Sequence, residues 1–222
     1  ITGSTGLIGR FAVAFFEGKG HTITALVRDV DKGKNLLGHR VRMLGPTLTD
    51  EQLTRELGES HAVINLAGSP IASRWTHQKR EELERSRIGV TQRLVRCLNR
   101  CETPPKVFIS ASAVGFYGNR GDTILTEQSP KGQGFLSELC ASWEQEANKI
   151  GTNGVRICIL RLGAVISREG GILKAMAPPF QMNLGAYFGA KQFVPWIHIK
   201  DLVRIIDRCI GDETLMGEIN CT

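Results

Sequence analysis

No apolar run in the 222-residue sequence approaches the roughly 20 residues needed to cross a bilayer, so a helical membrane span is excluded. The opening residues, ITGSTGLIGRF, lack the basic start, apolar middle and cleavage site of a secretory signal. Six cysteines fall without the spacing of a disulfide framework, and no Cys-x-x-Cys occurs. The closest pair, Cys97 and Cys101, falls on an expected helix, which disfavours zinc and points to a reducing compartment, cytoplasm or mitochondrial matrix. Five histidines are scattered with no His-x-x-x-His, so no metal ligand is assigned. No Gly-x-Ser-x-Gly elbow is present, which argues against a hydrolase built on one. Internal repeats, low-complexity stretches and a dividing linker are also absent. What is present is 41% hydrophobic and 23% charged residues, spread along the whole length as in one globular domain.

The formal charge of +6 is concentrated in one place. Arg74, Lys79, Arg80, Arg85, Arg87, Arg93, Arg96 and Arg100 face only Glu81, Glu82 and Glu84, which leaves a net five of the six charges there. Leu83, Val90, Leu94, Val95 and Leu98 recur at helical spacing in the same stretch, so residues 76–99 read as one long amphipathic helix with a charged outer face. No aromatic residues alternate with these bases to stack on nucleotides, so a solvated face is favoured over a nucleic-acid site.

Apolar β-rich runs alternate with helical periods along the chain. The strand candidates are 22–28, 41–44, 61–68, 106–112 and 155–163; the helices are 7–18, 49–58, 76–99 and 134–150. The runs are largely continuous in apolar residues, as in strands buried on both faces. The expected fold is therefore α/β, a Rossmann-like doubly wound parallel sheet with helices on both faces.

Gly3-Ser4-Thr5-Gly6-Leu7-Ile8-Gly9 opens the first helix as Gly-x-x-Gly-x-x-Gly. Such glycines turn the chain out of a strand, admit a pyrophosphate to the backbone, and let helix and sheet pack closely. The helix N-terminus then offers free N–H groups and a positive dipole end to phosphate. No Gly-Lys-Ser/Thr follows at Walker spacing. The second strand ends Val27-Arg28-Asp29, with Lys32 one turn on. Arg28 and Lys32 could hold a 2′-phosphate, which favours NADP(H) over NAD; the other reading has Asp29 bonding the ribose with the two bases left as surface residues.

With these residues placed, the sequence resembles the extended and atypical short-chain dehydrogenase/reductases. The blocks TGSTGLIG (2–9), NLAG (65–68), FISASAVGFYG (108–118) and PWIHIKDLV (195–203) stand in that family's order. NLAGSPIASRWT (65–76) and GGILKAMAPPF (170–180) are similar to the subgroup called epimerase family protein, the nucleoside-diphosphate-sugar epimerases of the 39U type. The resemblance implies that Gly3, Thr5, Gly6, Leu7, Ile8 and Gly9 hold the pyrophosphate. It further implies that Arg28 and Lys32 hold the 2′-phosphate, that Leu66, Ala67 and Gly68 lie along the cofactor, and that Ser112 is the catalytic hydroxyl.

One departure is plain. The superfamily's proton donor is a Tyr followed four residues later by a Lys that holds the nicotinamide ribose, yet helix 134–150 has neither at its start, and Glu138 stands where the Lys would be. Tyr117 is the candidate substitute acid; its other reading is a structural or substrate-contacting Tyr. His198 is read as structural and Asp201 as a cap or first-turn acid. Two functions stay open: an NADP(H)-dependent oxidoreductase or epimerase-like enzyme acting on a small carbonyl or hydroxyl compound, or a catalytically silent NADPH-binding scaffold, regulator or accessory subunit. Helix 76–99 would serve the latter as a docking face, or form a homodimer. Only Ile1 and Thr2 precede Gly3, and MGEINCT reads as a last strand. Residues 1–222 are thus expected to be an NADP-binding body from which most of the first strand, any targeting segment and a C-terminal substrate-covering portion are absent.

Overall fold

The computed structural model describes residues 1–151, 154–182 and 193–222. Helix α1 (Leu7–Gly18) buries Gly9, Ala12, Val13 and Phe16, the i, i+3, i+4, i+7 stripe that packs a helix on a sheet. There follow β1 (Thr24–Leu26), α2 (Val30–Leu37), β2 (Arg42–Leu44), α3 (Asp50–Gly58) and β3 (Ala62–Asn65). Next come α4 (His77–Glu84), a π-helical segment (Arg85–Gly89), α5 (Val90–Leu98), β4 (Val107–Ala113), a 3-10 turn (Val114–Tyr117) and α6 (Phe135–Ala147). The chain continues through β5 (Arg156–Leu162), β6 (Ala164–Ser167), β7 (Gly170–Gly171), α7 (Ile172–Gln181), β8 (Trp196–His198), α8 (Ile199–Gly211) and β9 (Gly217–Cys221).

Strands β3, β4, β5 and β9 pair in that order, all parallel, and β1 pairs with β2 in parallel. Thr2 joins the two sets, bridging Leu26 on one side and Asn65 on the other. The doubly wound parallel sheet is therefore as expected, and the reason the strands read as largely unbroken apolar runs is visible in β4 and β5. Val107, Ile109, Cys158 and Leu160 enter one core with α1 and α8, while Phe108 and Ile159 enter the other with α3 and α5. Successive side chains point to opposite faces, and both faces are covered.

Several elements depart from the sequence reading, which assigns no helix at α7. Helix α2 is absent from it; the only fully buried residues of this helix are Gly33 and Leu37, so it has almost no apolar stripe to read. A Cβ on Gly33 would stand 3.1 Å from Met43 Sδ, so the glycine lets α2 lie close on the sheet. A second small sheet, β7-β6-β8, is also absent from it, since its parallel pair joins Ala164–Ile166 to Trp196–His198 across a long stretch of chain. The helix expected at 76–99 forms over 77–98, but the π-helical segment interrupts it, and its charges are not all outward. Arg93 and Arg96 both bond the Asp50 carboxylate, at 2.8 Å each, and clamp α5 to α3. Arg87 turns inward. Among the described residues no helix is long and apolar enough to cross a membrane.

Candidate functional site

The C-terminal ends of parallel strands are where open α/β sheets bind ligands, and the first of these ends carries the glycine turn. Gly3 has φ +64°, and a Cβ there would meet Leu66 O at 2.3 Å, so both backbone conformation and space demand glycine. A Cβ on Gly9 would meet Gly3 O at 2.3 Å and Ser4 Cα at 2.5 Å, so this glycine sets how closely α1 approaches the turn. Gly6 is exposed, and a Cβ there would touch only Gly3 O, at 3.2 Å, so the space in front of it is open to a ligand. Gly6 is also the N-cap of α1 and supplies no side-chain cap, and the first turn holds no acid. Its N–H groups and dipole are left to whatever binds there. Ser4 Oγ is the one buried side-chain polar atom without a hydrogen-bond partner among the described residues. Such groups call for a partner, and a pyrophosphate has acceptors to spare. Thr5, Leu7 and Ile8 are half-buried around the same turn.

Arg28 and Lys32 are exposed at the end of β1 and in the first turn of α2, and neither makes an ion pair with a described residue. Asp29 is the N-cap of α2: its carboxylate accepts from Lys32 N at 2.9 Å. Leu66 and Ala67, half-buried, and Gly68, exposed, follow the end of β3 beside the glycine turn. The turn, the two bases and this segment therefore share one end of the sheet, beyond the C-terminal ends of β1 and β3.

Ser112 and Tyr117 lie in a buried polar network. Ser112 is 2% exposed, and its hydroxyl donates to Glu144 Oε1 at 2.5 Å. Arg161 grips the same carboxylate with two bonds, Nε to Oε1 at 3.0 Å and Nη2 to Oε2 at 2.8 Å. Arg161 Nη1 reaches Tyr117 OH and Glu127 O at 2.9 Å each, and Tyr117 OH donates to Asn220 Oδ1 at 2.6 Å. Burial works against the Arg161 charge, but the hydrogen bonds with Glu144 and Tyr117 outweigh it and hold the guanidinium above its ordinary pKa. Glu127, which accepts from Asn220 N, is held below the usual carboxylate range first by that bond. Cys140 lies next to this network; burial, and then the Glu144 charge, push its thiol up to about 11, so it stays protonated.

The sequence singles out Ser112 and Tyr117 but gives no sign of Glu144, Arg161 or Asn220. An acid and a base 17 positions apart on different elements announce no pairing, and an asparagine near the end of the chain announces no tyrosine partner 103 residues before it. The faint signal available is Arg161 itself, a charge amid the apolar residues of β5. Glu138, expected from the resemblance at the place of the family's Lys, is exposed and pairs with Lys131 at 2.5 Å. His198 caps α8, its Nδ1 accepting from Lys200 N at 3.4 Å, and Asp201 is a first-turn acid bonded to Arg204. A second buried set joins Thr2, Asn65, Thr91 and Trp143: Asn65 accepts from Thr2 Oγ1 at 2.7 Å and donates to Thr91 Oγ1 at 2.8 Å, which also accepts from Trp143 Nε1 at 2.8 Å. No group of residues able to hold a metal ion occurs among the described residues.

Comparison with known proteins places this geometry. The family model described as "NAD dependent epimerase/dehydratase family" matches residues 1–220. The chloroplastic epimerase family protein SDR39U1 homolog of Arabidopsis thaliana is 36% identical over 226 residues, covering all of this chain. The chain spans 65% of that relative's length. The crystal structure of human epimerase family protein SDR39U1 (isoform 2) with NADPH superposes with a TM-score of 0.82 at 29% identity, over 100% of this chain and 72% of that one. The nucleoside-diphosphate sugar epimerase from Corynebacterium glutamicum gives 0.80 at 32% identity, over 99% of this chain and 44% of that one. With the glycine turn, the parallel sheet and a match over nearly every residue, the chain belongs to the NAD dependent epimerase/dehydratase family.

Proposed function

We propose that this chain binds NADP(H) over the strand ends marked by the glycine turn, the end of β1 and residues 66–68, and acts as an oxidoreductase or epimerase-like protein on a small carbonyl or hydroxyl compound. The observation that carries the reading is the turn itself: an uncapped α1 N-terminus, an open front at Gly6 and the unpartnered Ser4 hydroxyl. Gly3, Thr5, Gly6, Leu7, Ile8 and Gly9 would hold the pyrophosphate, and Arg28 and Lys32 the 2′-phosphate. The exposure of those two bases, and the use of Asp29 as a helix cap, favour NADP(H) over NAD. The NADPH in the human relative's structure supports the same choice.

When bound, the cofactor supplies or takes up a hydride. Ser112 has committed its hydrogen to Glu144, so its oxygen offers lone pairs to a ligand and suits a substrate hydroxyl as donor. Glu144, fixed by Arg161, lies next in line to draw a proton through Ser112, and Tyr117 shares the network from the far side of Arg161. Turnover is tested by following nicotinamide absorbance with panels of alcohols and carbonyl compounds. Ser112→Ala is expected to slow a responding substrate by about 100-fold or more with cofactor binding retained, the usual size of a lost proton-transfer group. An unchanged rate overturns the assignment of Ser112.

A second reading, a silent NADPH-binding scaffold, regulator or accessory subunit, is favoured by one observation: the Ser112 and Tyr117 hydroxyls are both engaged inside the protein. In that case cofactor is retained but no panel member reacts, and the protein co-purifies with a larger assembly. Docking through 76–99 would fall to exposed residues such as Arg85, since Arg93 and Arg96 are tied to Asp50. Six free buried thiols fit a reducing compartment, cytoplasm or mitochondrial matrix.

A further inference from the structure

Two aromatic residues outside the Ser112 network stand at the mouth of the site. Helix α6 joins the parallel strands β4 and β5, so it runs back along the sheet and its first residue, the half-buried Phe135, lies beyond their C-terminal ends. Its first turn rests on the turn that follows β4: Ser137 Oγ donates to Gly115 O at 2.9 Å, and a Cβ on Gly115 would stand 3.6 Å from Leu136 Cβ. Trp75 comes from the segment that follows β3, and its ring meets that of Phe135 at 5.9 Å between centres. The contact therefore spans the ends of two neighbouring strands. Helix α6 also gives the depth, since Glu144, which accepts from Ser112, lies nine positions after Phe135. At 1.5 Å per residue that is about 13 Å along the helix axis.

The same corner carries charge that no described residue balances. Arg80, exposed on α4, lays its guanidinium over the Phe135 ring, 5.1 Å from the centre. Its side chain makes no hydrogen bond or ion pair with a described residue, although Glu84 stands one turn on, and Arg74, beside Trp75, is equally unpaired. Other bases nearby are matched, Lys79 with Glu82 at 3.0 Å and Lys131 with Glu138 at 2.5 Å. A guanidinium stacked on a ring keeps its edge N–H groups for a planar anion, and a carboxylate accepts two of them side by side. Trp75 offers its ring faces, since Nε1 donates to Ile71 O at 2.9 Å and so closes the turn that presents it. Ile71 and Trp75 are 44% and 39% exposed, an apolar wall beside two uncommitted cations. Resting on the reading above for where the reacting group lies, we propose that Trp75, Phe135 and Arg80 form the specificity end of the site and that its ligand is a carboxylic acid with a flat apolar body. Its carbonyl or hydroxyl carbon would lie roughly 10 Å from the carboxylate, the span from Ser112 to the mouth. Arg80 pairs with the acid, the two rings cover the body, and Arg74 adds positive potential at the entrance.

The probes are 4′-formylbiphenyl-4-carboxylate, with an aldehyde and an acid at opposite ends of a flat body of that length, and biphenyl-4-carbaldehyde, which lacks the acid. In calorimetric titrations of the protein saturated with NADP+, the acid is expected to bind about fivefold tighter than the neutral aldehyde. Arg80→Met should erase that difference and Arg80→Lys should keep part of it, while Trp75→Ala should weaken both probes by about tenfold. Arg40→Met removes an exposed charge just before β2, at the opposite end of the sheet, and should change neither. Equal binding of the two probes, an advantage that survives Arg80→Met, or no binding of either overturns the proposal. With NADPH in place of NADP+, reduction of both aldehydes at equal efficiency would overturn this inference and leave the oxidoreductase reading intact. Binding of the acid that depends on Arg80, with no reduction of its aldehyde, would uphold the acid site and remove the oxidoreductase reading. A protein that binds neither NADP+ nor NADPH fails the cofactor reading and takes this inference with it.

Discussion

Replacing Arg161 with methionine removes one half of the buried pair with Glu144, whose side chains are 4% and 6% exposed. The methionine fills similar space, so the main loss is electrostatic. Glu144 keeps only the Ser112 hydroxyl as donor, while Tyr117 OH and Glu127 O each lose the donor they had in Arg161. Breaking a buried pair from one side costs about 3–5 kcal/mol, because the surviving charge is stranded in a poor solvent. For a chain of this length each kcal/mol lowers the melting temperature by about 2–4 °C, so the single variant should melt roughly 6–20 °C lower. Removing both charges, with Glu144→Leu added, leaves no unpaired charge, and although the Ser112 hydroxyl and Glu127 O still lack a partner it should restore part of the loss. Urea unfolding of the four proteins of this cycle measures the coupling. A single variant that loses less than about 1 kcal/mol, or a pair of losses that simply add, refutes the view that the two groups sustain each other in a dry interior.

Gly3→Ala should both destabilise the protein and abolish cofactor binding, since the alanine meets φ +64° and a carbonyl oxygen at 2.3 Å; melting curves with and without NADPH check it. Reversing Arg28 and Lys32 to glutamate should cost NADPH at least tenfold in affinity, as an order of magnitude for lost charge-assisted phosphate bonds, and leave NADH nearly unchanged in competition binding. The Asp50 carboxylate is held below its ordinary value of 3.8 first by its bond to Arg93 and then by Arg96. Because the folded pKa is the lower one, the stability this clamp adds is complete above the unfolded value and is lost as pH falls through the folded one. Asp50→Asn should therefore flatten the acid limb of stability against pH; an unaltered limb would mean the clamp adds nothing.

The parallel sheet is legible because β4 and β5 are mostly apolar on alternate and intervening positions alike, the mark of strands covered on both faces, and the first turn because three glycines precede a clear helical stripe. Helix α2 is not, since only Gly33 and Leu37 are fully buried and its start depends on Asp29 folding back as a cap. At the site, Ser112 and Tyr117 can be picked out, but their surroundings cannot. Arg161 stands among the apolar residues of β5 and Glu144 on a helix, and only the packing of α6 on β5 brings the two together. Arg87 reads as one more base in a charged run, yet it lies in the π-helical segment and donates to Ser69 O, and no hydrophobic period reveals either feature.

The central claim, that the glycine turn with Arg28 and Lys32 holds NADP(H), is tested most directly by calorimetric titration of the unaltered chain with NADPH and with NADH. The account predicts saturable binding of one NADPH per chain, tighter than NADH by about tenfold or more, the difference contributed by a charge-assisted 2′-phosphate site. Equal affinities, a preference for NADH, or no heat with either would contradict it.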